Sequence, residues 1–85
     1  MVYLLEFHFP YTKETVPKAL IESEELLSYL VQSLHMELKR NRLDKYISVV
    51  TSNSECRDDV SIISREFDVF MFIYQFKKQY CLHMA

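Results

Sequence analysis

No glycine occurs anywhere in these 85 residues, and there is no tryptophan, only two prolines and only two cysteines. The missing glycine excludes the most. A Walker phosphate loop, a dinucleotide-binding fingerprint, a nucleophile elbow, an EF-hand loop and the glycine–aromatic motif of RNA-recognition folds all require it. Each needs a residue that takes φ > 0 or lets the backbone approach a ligand closely. Two cysteines, Cys56 and Cys81, are too few for a small disulfide scaffold. Neither sign of charge dominates: ten basic residues face twelve acidic ones, for a net charge of −2. No global field therefore draws in nucleic acid or an anionic membrane. The longest apolar run, Val69 to Tyr74, falls far short of the about 18 residues of a membrane span. The first ten residues have no basic start and are interrupted by Glu6 and His8, so they do not read as a secretory signal. These features predict a cytoplasmic protein with reduced thiols, no membrane association and no cofactor.

What is present is apolar bulk. Hydrophobic residues make up 49% of the chain, including six tyrosines and six phenylalanines. The length suits one domain over 1–85, with an ordered core over about 1–78 and an irregular tail over 79–85. A chain this short buries only about 60–65% of the surface its unfolded form exposes. No internal repeat appears.

Val2 to Phe9 alternates as a strand, with Tyr3, Leu5, Phe7 and Phe9 on one face and Val2, Leu4, Glu6 and His8 on the other. Pro10 closes it, and Tyr11 to Lys18 reads as a polar connection with Pro17 in the first turn of a helix. From about Ile21 to Arg42, Leu27, Leu30, Val31, Leu34 and Leu38 recur at helical spacings of three and four. Ser23 is the expected N-cap. Glu24 and Glu25 at the start, with Lys39, Arg40 and Arg42 at the end, complement the helix dipole. Lys45 to Thr51 is β-branched and predicts a strand. Ser52 to Asp59 reads as a wide polar loop, and Val60 to Ile63 as a short strand or the end of that loop. With no glycine available, Asn41, Asn53 and the aspartates are the expected occupants of left-handed positions.

Glu66 to Phe76 satisfies two periods. As a strand it sets Phe67, Val69, Met71 and Ile73 against Asp68, Phe70, Phe72 and Tyr74. As a helix from Asp58 it has a polar stripe (Ser61, Arg65, Asp68, Gln75) and an apolar one (Val60, Ile63, Phe67, Phe70, Met71, Tyr74). Its density of Val, Ile, Phe and Tyr favours the strand. The expected fold is therefore α+β, a two-layer β-α-β-β sandwich with one long helix on a three- or four-stranded sheet. The alternative is β-α-β-β-α, with a C-terminal helix.

The candidate chemistry is thin. Cys81 and His83 form one close pair, with Cys56, His8 and His35 as further soft ligands, but a structural zinc site needs two such pairs. Glu6 and His8 share a strand face without an evident nucleophile. Asp58 and Asp59 read as a turn or cap. No catalytic or metal residue is assigned, and no enzyme is expected. Lys39, Arg40, Arg42 and Lys45 form the one basic cluster and are candidate phosphate contacts, which makes a nucleic-acid-binding module the second reading. The first rests on surplus apolar surface. One helix cannot cover both sides of strands that are apolar on both faces. Phe70, Phe72, Tyr74, Val2 and Leu4 are therefore expected to meet another protein or a second copy. That describes a small regulatory module, an adaptor, an inhibitor or a dimer, binding by a buried aromatic sheet face or by strand-edge pairing.

Overall fold

A computed structural model describes residues 1–80, and its first element is the expected strand β1, Val2–Phe9. After β1 the chain departs from expectation. Residues 11–18 do not simply connect to a helix; Glu14–Ile21 is a second strand, β2, paired antiparallel with β1. The hairpin turn is Pro10 to Lys13, where the Lys13 amide donates to the Phe9 carbonyl at 2.7 Å and Lys13 takes φ 61°. Two things hide β2 in the sequence. Its first two residues, Glu14 and Thr15, are polar and exposed, and a bulge breaks its alternation: Leu5 pairs with Ala19 but Glu6 with Pro17, leaving Lys18 over. Pro17 is therefore not a helix residue. It sits beside the bulge, where β2 has no neighbour on its other side, an edge position that tolerates proline.

Helix α1, Glu24–Arg40, is shorter than the 21–42 expectation because Ile21 belongs to β2. Ser23 caps it as predicted, its hydroxyl oxygen accepting from the Leu26 amide at 3.1 Å. The exit is a Schellman turn. The Leu43 amide donates to the Leu38 carbonyl at 2.8 Å and the Arg42 amide to Lys39 at 3.2 Å. Arg42 occupies the left-handed position at φ 58°, whereas Asn41 has φ −98°. Across the described residues, then, Lys13 and Arg42 take the left-handed places expected for asparagine and aspartate.

Strand β3 is Ser48–Ser54, not 45–51, because the chain first turns through Leu43 to Ile47 and buries Ile47. Strand β4 is Ser61–Ile63. The largest correction concerns 66–76: Glu66–Tyr80 is a helix, α2. Tail residues 79 and 80 are thus helical, while 81–85 lie outside the described residues. Propensity favours a strand, but burying one helical face in the core overrides a weak local preference. That face is not the one the helical period selects. Val69 and Phe76 are buried, with Phe72, Ile73 and Tyr80 packed beside them, while Phe67, Phe70 and Tyr74 face outward.

The outcome is an α+β fold with a four-stranded mixed sheet in the order β3-β1-β2-β4. The central strand β1 is antiparallel to β2 and β3, and β4 is parallel to β2. Helix α1 carries the chain from β2 across β1 to β3. Both helices lie on one face, over Leu5, Phe7, Ala19 and Ile21. Phe7 is the hub: the rings of Phe72, Phe76 and Tyr80 meet it edge-on with centroids 5.8–6.3 Å away.

The opposite sheet face is partly covered by the chain itself. Residues 55–60 must run from one edge strand to the other, and Arg57 comes near enough to Glu6 for their charges to interact. Leu4 and Leu20, cross-strand partners on that face, are both buried. This short connection supplies part of the cover that the sequence pattern alone would assign to a partner.

Candidate interaction surface

Helix α2 presents Phe67, Phe70 and Tyr74 at spacings of three and four, which is one row on its outer side. Phe67 and Phe70 are each 68% exposed and Tyr74 is 55% exposed. On α1, Tyr29 (58%) and Met36 (60%) form a similar row two turns long. Strands β2, β3 and β4 all point the same way, and each helix returns over the sheet, so α1 and α2 are parallel neighbours. A salt bridge, Lys77 Nζ to Glu37 Oε1 at 3.2 Å, ties the two helices together near their C-terminal ends. Tyr29 and Phe70 each lie in the first half of their helix, and Met36 and Lys77 each lie toward the end. The outer side of the helical layer thus carries exposed apolar side chains from both helices, with the polar Glu25, Ser28, Gln32 and Ser33 beside the α1 pair.

Glu37 anchors that layer. Its carboxylate is almost fully buried and takes Lys77 and, at 3.5 Å, Arg40. The Asn41 side-chain amide donates to the Glu37 carbonyl at 2.8 Å. At the other end of α1 the Tyr3 hydroxyl donates to Glu24 at 2.8 Å, tying the helix to β1. That hydrogen bond, helped by desolvation and the Glu24 charge, holds the Tyr3 pKa above its ordinary value. Charge is segregated along the layer. Glu24, Glu25 and Glu66 lie in the first turns of the two helices, and Lys39, Arg40, Lys77 and Lys78 in the last.

The five expected contact residues are dispersed. Phe70 and Tyr74 are exposed together on α2 and not on a sheet face. Phe72 packs on Phe7 in the core layer. Val2 and Leu4 lie on β1, with Leu4 buried. Phe67, Tyr29 and Met36 are not among the contacts expected from sequence. A signal for the α1 pair exists, since both fall off the stripe of Leu30, Leu34 and Leu38 and stand seven residues apart.

Among the described residues the remaining candidates do not assemble into a catalytic or metal site. His8 Nδ1 lies 3.0 Å from the Thr15 hydroxyl across the hairpin, not against Glu6. Asp59 binds Arg57 through two bonds of 3.0 and 2.6 Å, which lowers the Asp59 pKa and raises that of Arg57. No three His, Cys, Asp or Glu side chains cluster among the described residues, and Cys81 and His83 lie outside them. Lys39, Arg40, Arg42 and Lys45 lie at the end of α1 and in the turn after it, and all four are exposed. A groove of about 300 Å³ opens between α2 and β2/β4, with Lys18 Nζ 5.4 Å from the Phe7 ring centroid and 5.8 Å from that of Tyr80. No described helix is long and apolar enough to cross a membrane. No family model, no curated protein and no solved structure matches the chain.

Proposed function

We propose that this chain is a non-enzymatic protein-interaction module whose binding surface is the outer side of its helical layer. The observation that supports it is the row Phe67, Phe70 and Tyr74, more than half exposed on a helix whose other side already fills the core. A contiguous apolar surface of this kind marks an interface in soluble proteins, and aromatic side chains dominate interface energetics. The partner is another protein, which the module meets as an adaptor or inhibitor, or a second copy. The same reading puts it in the cytoplasm, where an exposed thiol such as Cys56 stays reduced.

The test is Phe70→Asp beside Phe72→Asp. Phe70→Asp is expected to keep the circular dichroism and melting behaviour of the parent while losing capture of its partner. Phe72→Asp is expected to unfold the protein, because Phe72 packs on Phe7. If Phe70→Asp unfolds too, or keeps every interaction of the parent, the surface is not a binding surface.

A second reading, a nucleic-acid-binding module, is supported by the grouping of Lys39, Arg40, Arg42 and Lys45 at one end of the molecule. Its signature is oligonucleotide affinity that falls steeply with salt. Affinity that is absent or salt-independent would dismiss it.

A further inference from the structure

Resting on that reading, we infer that the partner is a second copy of this chain, docked antiparallel on the helical layer about a two-fold axis. The axis crosses the helices at the level of Gln32 and Phe72. Charge selects this arrangement. Both helices run in one direction, and both begin acidic and end basic. A copy laid on in the same direction sets Glu25 and Glu66 near their own kind, and Lys39 and Lys78 likewise. Reversed, each acidic end meets a basic end, and the helix dipoles oppose across the contact.

The register is equally self-complementary. A two-fold axis lying in the interface across the helices stacks α1 on α1 and α2 on α2, which is an isologous contact. About position 32, Glu25 meets the partner's Lys39 and Tyr29 meets the partner's Met36. About position 72, Phe70 meets the partner's Tyr74 and Phe67 meets the partner's Lys78, a cation over an aromatic face. Matching the two helices where the Glu37–Lys77 bridge joins them brings these two centres close to one line. The acidic residues, basic residues and large apolar side chains thus pair about a single line.

The area suffices as well. Five large side chains that are 55–68% exposed offer roughly 500–800 Å² at about 150–250 Å² each. A standard interface buries about 800 Å² per partner, so the flanking Glu, Gln and Lys side chains need supply only the rim.

The test combines charge reversal with site-specific photo-crosslinking. By sedimentation, the full chain is expected to dimerise at tens of micromolar or below. Glu25→Lys alone and Lys39→Glu alone each turn two symmetry-related attractions into repulsions and are expected to weaken dimerisation roughly three- to tenfold. The double variant is expected to restore it. A chain that stays monomeric at about 100 micromolar, well above that range, overturns the inference, and single reversals without rescue overturn the antiparallel register. A benzophenone side chain at position 70 separates this inference from the reading beneath it. An adduct of two chains supports the second copy. An adduct in cell lysate only to a different protein overturns the second copy and leaves the interaction surface standing. No adduct of either kind overturns both.

Discussion

In α1 the apolar residues that matter to the fold, Leu30, Leu34 and Leu38, lie on one side, and the opposite side is largely polar apart from Tyr29 and Met36. In α2 apolar residues lie almost all round: Val69 and Phe76 point into the core while Phe67, Phe70 and Tyr74 point away from it. The first helix has a side-chain cap at its start and a Schellman turn at its end. The second begins with a looser contact, the Ser64 amide on the Asp68 carboxylate at 3.4 Å. Both cover the same sheet, so folding needs only one apolar side from each. Helix α2 carries a second apolar side that the core does not use, and that excess is what folding alone fails to explain.

The sharpest break in this comparison lies within α2 itself. Phe76 is buried against Phe7 and Tyr80, and its truncation to alanine is expected to cost about 3–5 kcal/mol through lost burial and the cavity left behind. That is a large share of the roughly 5–15 kcal/mol by which native domains are stable. Phe70→Ala, six residues earlier, is expected to change stability by no more than about 0.5 kcal/mol, and any change is a gain, since alanine is the better helix former. Urea denaturation at low micromolar concentration compares the two. Similar losses would mean that α2 buries both faces within one molecule, and its outer surface would be no interface.

The same lack of contrast makes α2 the least legible element. Periodicity identifies a helix by the difference between its sides, and α2 offers little difference. Its Phe, Val, Ile and Tyr also suit a pleated surface, so local preference points to a strand. Helix α1, with Ser23 before it and leucines at three- and four-residue spacings, is readable down to its cap. Strand β1 is equally clear because its alternation is unbroken. Strand β2 is not, since the bulge at Lys18 and the polar start at Glu14 erase the period that would reveal it. Of the proposed interaction surface, Phe70 and Tyr74 stand out in the sequence as unsatisfied apolar bulk, but on a sheet face that does not form. Phe67 joins them once the segment is a helix, and Tyr29 and Met36 only through the pairing of α1 with α2, a tertiary fact.

That pairing is the next place to apply pressure. Lys77 reaches Glu37 from the neighbouring helix, and removing it leaves a nearly buried carboxylate with Arg40 at 3.5 Å as its remaining cation. Lys77→Ala is expected to cost about 1–2 kcal/mol, and Glu37→Gln somewhat less, because the neutral amide is cheaper to bury. In a double-mutant cycle the two losses are expected not to add. Full additivity in denaturant melts would show that the bridge does not couple α2 to α1. The shared two-fold axis would then lose its basis.

The smallest effect lies at the exit of α1, where the absence of glycine has a measurable consequence. Arg42 holds φ 58° with a side chain in place, and a β-carbon in the left-handed region costs about 1 kcal/mol. Arg42→Gly removes that strain but gives the unfolded chain more freedom, so the two effects partly cancel. The net expectation is a gain of about 0.5–1 kcal/mol, read as a higher urea midpoint with an unchanged slope. Helix α2 offers no counterpart, because its described residues include no left-handed position. Unchanged or lower stability would mean that the Arg42 side chain makes a favourable contribution that outweighs its backbone strain. In that case the base at the end of α1 would itself be a structural element, and the basic cluster could not be counted as freely available for phosphate.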